Sequence, residues 1–151
     1  MPKAVLIYAS LTGCTEEAAK LLEKELEELG ASVELIHAFE ADVNKLLHYD
    51  IIFIGTYTYG AHGDLPDEMV DFYFDLKEID LNNRVFGVFG SGDRIYEFYC
   101  KSVDDFDKQL EKSNGIRGSK PVKFELTPSS KAKNEIKKMA KDVIEKYNST
   151  K

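Results

Sequence analysis

The sequence predicts an α/β fold, a three-layer sandwich in which a five-stranded parallel sheet carries helices on both faces. Apolar runs and amphipathic stretches alternate from one end of the chain to the other, the sign of βαβ units. The first run, Ala4-Val5-Leu6-Ile7-Tyr8, is continuously apolar, as a strand buried on both sides requires. With 151 residues there is enough chain for one domain with a substantial core, so residues 1–151 read as a single unit.

The elements follow in order. After strand Ala4–Tyr8, a helix starts near Thr15, with Ala18, Ala19, Leu22, Leu26 and Leu29 as its apolar stripe and Gly30 as its stop. Val33–Ile36 is a shorter second strand, and Lys45-Leu46-Leu47 belongs to a weak helix. Ile51–Gly55 is the third strand and runs into a long loop, Thr56 to Pro66. Pro66 suits the first turn of a helix carrying Met69, Phe72, Tyr73 and Leu76. Val85–Phe89 is the fourth strand, and Tyr99, Val103, Phe106 and Leu110 stripe the helix after it, which ends near Asn114-Gly115. Val122–Leu126 alternates as a fifth strand at an edge, because Pro121 precedes it. Ser129 or Ser130 caps a last helix whose inward face is Ile136, Met139, Ala140, Val143, Ile144 and Tyr147. Phe53, Phe72, Phe86, Phe89 and Phe106 fit core spacing.

Composition narrows the function. A hydrophobic share of 43% and a formal net charge of −7 describe a soluble globular protein and argue against non-specific nucleic-acid binding. The charge is uneven: residues 1–110 hold 9 basic against 22 acidic residues, and residues 111–151 hold 11 against 5. Cys14 and Cys100 make no disulfide framework and suit a reducing cytosol. The apolar run behind Met1-Pro2-Lys3 is too short for a signal segment or a membrane span, so a cytoplasmic place is expected. His37 and His48 read as surface residues, and no cluster has metal-ligand spacing.

In an open parallel sheet, ligands bind beyond the carboxyl ends of the strands where the strand order reverses. Three loops would meet there: Ser10–Thr15, Thr56–Pro66 and Gly90–Cys100. The first, Ser10-Leu11-Thr12-Gly13-Cys14-Thr15, lies between a strand and a helix start and is crowded with hydroxyls. Unpaired N–H groups and the positive end of the helix dipole make such a turn fit for a phosphate held by neutral donors; a plain helix cap fits the same residues. It lacks the Gly-Lys-Ser/Thr ending of a triphosphate-hydrolysing loop. The other loops offer Tyr57, Tyr59, Tyr96, Phe98 and Tyr99 beside Gly60, Gly63 and Gly92. A phosphate cradle flanked by two aromatic-bearing loops describes a slot for a flat, phosphorylated heteroaromatic ligand.

Three stretches carry a resemblance. Ser10-x-Thr12-Gly13-x-Thr15-Glu16, Gly55-Thr56-Tyr57-Thr58-Tyr59-Gly60-x-x-Gly63-Asp64-Leu65-Pro66 and Phe89-Gly90-Ser91-Gly92-Asp93-x-x-Tyr96 resemble the FMN-binding loops of bacterial flavodoxins, in order and spacing. An uninterrupted fifth strand points to the short-chain branch. The resemblance implies strand order 2-1-3-4-5, for which flavodoxin itself is the standard example, with FMN at the switch point. It implies a low-potential one-electron carrier, not an enzyme, monomeric and working between a reductase and acceptor enzymes. By the same resemblance Ser10, Thr12, Thr15 and the backbone of Gly13 and Cys14 would hold the phosphate. Tyr59 would cover the inner face of the ring and Tyr96 the outer, Asp93 would accept from the pyrimidine-side N–H, and backbone of Thr58–Ala61 and Ser91–Gly92 would meet the ring's polar edge. Leu11, Thr56, Gly63 and Cys100 complete the expected binding residues, with Cys100 packed near the third loop. Cys14 stands where the family usually has Asn, Tyr59 where it often has Trp, and Ala61-His62 where it commonly has Asp. Residues Asp64 to Asp107 hold 12 acids against 4 bases, an acidic rim for basic redox partners.

Three alternatives sit on similar topologies. A flavin-dependent NAD(P)H quinone or azo reductase needs an open pocket above the ring, which Tyr96 would cover; a flavodoxin-like activator of ribonucleotide reductase is a variant of the carrier. A phosphoacceptor receiver domain needs acids where this chain has Ala9-Ser10 and Gly55-Thr56. In the family the peptide after the inner aromatic turns over on one-electron reduction, a movement that glycine makes easy. Gly60→Ala should therefore reduce the amount of one-electron-reduced flavin that accumulates in an anaerobic titration; an unchanged amount would show that the flip is not used.

Overall fold

The computed structural model describes residues 2–9, 14–58, 65–92, 100–125 and 129–150. The apolar runs become β1 (Lys3–Tyr8), β2 (Ser32–His37), β3 (Ile51–Tyr57) and β4 (Val85–Gly92). They pair in parallel in the order β2-β1-β3-β4, with Val5 between Glu34 and Ile52 and Ile54 beside Val88. The predicted order 2-1-3-4-5 holds, with one correction at its end. The fifth strand is broken into β5 (Ile116–Arg117), opposite Val85 and Phe86, and β6 (Val122–Glu125), opposite Phe89 to Gly92. Pro121 has no N–H to give a ladder. Gly118 presses so near β4 and the last helix that a Cβ on it would lie 2.6 Å from Val85 Cγ1.

Among the described residues the helices are α1 (Cys14–Glu28), α2 (Asp67–Leu76), α3 (Lys101–Lys112) and α4 (Ser130–Ser149). The stripe of α1 ends at buried Leu26. Leu29, expected to extend it, lies past the helix end and is 40% exposed, because the chain turns away at Gly30 with φ +93°. The weak helix at Lys45 is a 3-10 segment, Val43–His48, capped by the Asp42 side chain accepting from Asn44 N. Pro66 precedes α2 instead of lying in it, its carbonyl accepting from Met69 N at 2.8 Å. Of the two serines, Ser129 is the cap of α4, accepting from Ala132 N at 3.1 Å.

Alternate side chains of each strand fill two cores. On one face Leu6, Phe53, Phe89 and Phe124 pack with α1 and α4; on the other Ile7, Ile54, Phe86 and Val88 pack with α2 and α3. All five phenylalanines expected in the core are buried there. Each contributes about 1.5–3 kcal/mol by leaving water. Phe53 and Phe89 lie over the glycines opposite them in register, Gly87 and Gly55, where a Cβ would meet the rings at 3.1 and 2.6 Å.

The amino edge of the sheet is held by Arg84, which donates to the carbonyls of Leu47, Tyr49 and Leu81. Beside it the Tyr49 hydroxyl donates to Glu34. Burial first, and then the Glu34 carboxylate, push the Tyr49 phenol from 10.0 up to about 12. A folded-state value raised above the unfolded one means that this contribution to stability is complete below pH 10 and is lost as pH rises through 12. Tyr49→Phe should therefore flatten the alkaline fall in stability between pH 10 and 12 in denaturant titrations; an identical fall in both proteins would remove Tyr49 from that role.

Candidate functional site

Strand order reverses beside β1, which has β2 on one side and β3 on the other. Carboxyl ends of β1, β3 and β4 therefore face a common crevice, and α1 begins at that edge with its amino end unsatisfied by its own ladder. Strand ends buried on both faces leave backbone groups that cannot reach water, and something must pair them. Ala9 N reaches back to Gly55 O at 2.9 Å, and Thr58 N to Ser91 O at 3.0 Å.

Hydroxyls serve the remainder. Thr15, 1% exposed in the first turn of α1, places its Oγ1 3.1 Å from Ser91 Oγ and 3.4 Å from the Thr56 carbonyl. The predicted first loop is thereby tied to the ends of β3 and β4. Farther along, Ser102 in α3 donates its hydroxyl to Tyr57 O at 2.7 Å, and its N–H to Thr58 Oγ1 at 3.1 Å. With that proton committed, Ser102 Oγ accepts from Thr58 Oγ1 at 3.1 Å. The N-cap residue of α3 is Cys100, left-handed at φ 51° with no side-chain cap, so Thr58 caps this helix from another strand.

Close packing fixes the same edge. Gly90 opposes Thr56 in register, and a Cβ on it would lie 2.1 Å from the Thr56 carbonyl oxygen. Gly92 is backed by Cys100, whose N and Sγ would each be 2.9 Å from a Cβ. Cys100 is fully buried, with Sγ 3.9 Å from Gly90 O and 3.8 Å from Phe124 O, the packing place expected of it.

Of the expected binding residues, Thr15, Thr56, Tyr57, Thr58, Ser91, Gly92 and Cys100 come together here. Tyr57 is buried on the α2 side, its hydroxyl donating to Glu68 at 2.6 Å. Backbone of Cys14 starts α1. Ser10, Leu11, Thr12, Gly13, Tyr59, Gly60, Ala61, Gly63, Asp93, Tyr96, Phe98 and Tyr99 lie outside the described residues. Ser102 was missed by sequence reasoning: a serine in the first turn of a helix looks like an ordinary local cap, and its true partner is 44 residues away. Among the described residues no group of three His, Cys, Asp or Glu could hold a metal.

The acidic stretch divides into two kinds of carboxylate. Asp67, Asp71, Asp75 and Glu78 stand exposed along α2 and just beyond its end. Asp104 pairs with Lys123, Asp105 with Lys101, and Asp107, 7% exposed, with Arg117. The Asp107 hydrogen bonds hold the Arg117 guanidinium above its usual value.

Comparison with known proteins adds four findings. A family model described as flavodoxin matches residues 6–139. The chain is 40% identical over 137 residues to a probable flavodoxin 2 of Bacillus subtilis (strain 168), covering 90% of each. Among solved structures it is similar to a Streptococcus pneumonia TIGR4 flavodoxin, with TM-score 0.92, 39% identity, and coverage of 95% of this chain and 99% of that one. A short-chain flavodoxin associated with a non-canonical PDU bacterial microcompartment gives TM-score 0.94 at 34% identity, over 97% and 99%.

Thr15→Val removes the hydroxyl that links α1 to Ser91 and leaves its partners short of a bond in a buried place. A loss of about 1–3 kcal/mol in unfolding free energy is expected for the cofactor-free protein. Urea denaturation measures it, and an unchanged midpoint would mean that the Thr15 link carries no stability.

Proposed function

Since the chain belongs to the flavodoxin family, we propose which of its residues hold the cofactor and which surface meets its partners. The protein is an FMN-binding electron carrier and not an enzyme. Bound FMN supplies the one-electron chemistry, and the protein supplies position and exclusion of water.

The hydroxyl-lined carboxyl edge, joined by Thr15 and Ser91, is the observation that supports this placement. It suits a phosphate at the amino end of α1, and backbone of Ser91 and Gly92 meets the ring's polar edge. Ser10, Thr12, Thr15 and the backbone of Gly13 and Cys14 hold the phosphate. Tyr59 and Tyr96 stack on opposite faces of the ring, and Asp93 accepts from its pyrimidine side. Leu11, Thr56, Tyr57, Ala61, Gly63, Phe98, Tyr99 and Cys100 wall the same slot. Neutral donors alone take the phosphate, so its charge is balanced by the helix dipole and by N–H groups.

A carrier passes electrons from a donor protein to an acceptor. Basic redox partners, a reductase and its acceptor enzymes, dock on the exposed acids Asp67, Asp71 and Asp75, steered by charge. The paired Asp104, Asp105 and Asp107 are spoken for by neighbouring cations and contribute less. The protein works as a monomeric single domain over residues 1–151 in the cytoplasm. No helix among the described residues is long and apolar enough to cross a membrane.

Reconstitution with FMN followed by anaerobic spectroelectrochemistry tests the reading. Two separated one-electron steps and no NAD(P)H oxidation by the purified protein alone are expected. One concerted two-electron step with NAD(P)H turnover would transfer the assignment to a flavin reductase.

A further inference from the structure

Resting on the FMN site just assigned, we propose that Ser102 is a positioning residue for Thr58, whose backbone is assigned to the polar edge of the flavin ring. In the chain Thr58 precedes residues 59–64, and Cys100 and the first turn of α3 follow residues 93–99. Ser102 is the side chain that joins Thr58 to that turn.

The hydrogen-bonding groups of Ser102 apart from its helical carbonyl are directed at the end of β3 and the residue after it, its oxygen also accepting from Thr56 Oγ1 at 3.5 Å. Its N–H and hydroxyl donate to Thr58 Oγ1 and Tyr57 O, and its oxygen accepts from Thr58. The residue is 0% exposed, so no water replaces these bonds. Thr58 is in turn fixed from its other side, its N–H donating to Ser91 O at 3.0 Å. A second hydroxyl link, Thr15 to Ser91, fixes the helix that receives the phosphate. The two fastenings meet at Ser91, and the one at Ser102 is the one that holds Thr58.

A purely structural hydroxyl would affect folding and nothing else, which makes the proposal separable from it. The experiment uses Ser102→Ala, Thr58→Val and the double variant. It measures FMN affinity by fluorescence quenching, and the visible circular dichroism of the ring and the 31P shift of the phosphate at saturating FMN. Ser102→Ala should bind FMN about tenfold more weakly. Its ring dichroism should change while the 31P signal stays in place, and the double variant should lose no more than the worse single one. An affinity and ring signal equal to those of the native chain, with only the unfolding midpoint lowered, would overturn the proposal. So would a moved 31P signal with an unmoved ring, or additive losses. A native chain that binds no FMN would overturn the cofactor assignment itself before any variant is compared.

Discussion

Everything at the working edge of this protein depends on pairing the backbone polar groups where β3 and β4 end inside the molecule. A parallel ladder satisfies them only while both strands continue. Past Tyr57 and Gly92 the strands end, yet Thr56 and Tyr57 there are buried and Thr58 and Ser91 half-buried. An orphaned N–H or carbonyl in that position costs about 1–3 kcal/mol. Side-chain hydroxyls resolve the conflict because they both donate and accept within a small volume. Thr15, Thr56, Thr58, Ser91 and Ser102 all stand within this zone. A phosphate and the polar rim of a flavin ask for the same kind of group, so folding and binding select one composition at one edge.

Steric requirements act on the same strands. Aromatic rings large enough to close the core lie over glycines on the neighbouring strand, Phe89 over Gly55 and Phe53 over Gly87. Tight packing of this kind transmits displacement poorly damped, since the interior has little free volume. A shift at the β3–β4 seam would reach Gly90, where the Thr56 carbonyl already occupies the space of a side chain. The seam between β3 and β4 is accordingly stiff.

Much of this was legible in the chain. Continuous apolar runs located the central strands, 3.6-residue stripes located the helices, and a cap at Ser129 or Ser130 was readable because its partner is three residues away. What escaped was non-local. Ser102 carries no local mark that distinguishes it from a helix cap, and the break between β5 and β6 depends on Gly118 packing against Val85 and Val143. Charge counting along the row also could not tell exposed Asp71 from Asp107, since the partner of Asp107 is Arg117 on an adjacent strand. The hydroxyls gathered at the carboxyl edge were legible in part, since Thr15, Thr56, Thr58 and Ser91 stand in the loops that strand order brings to one edge. Their fastening was not, because that is a property of distances in space.

The borrowed cap of α3 also orders events in time. A helix whose N-cap is local can nucleate early, before the chain has collapsed. Here the first turn of α3 is finished by Thr58, at a sequence separation of 44 residues, and Cys100 supplies no substitute. Closing so long a loop costs entropy that only the paired β3 and β4 can recover. The amino end of α3 is thus a late product of folding, locked when the sheet beneath it is already complete.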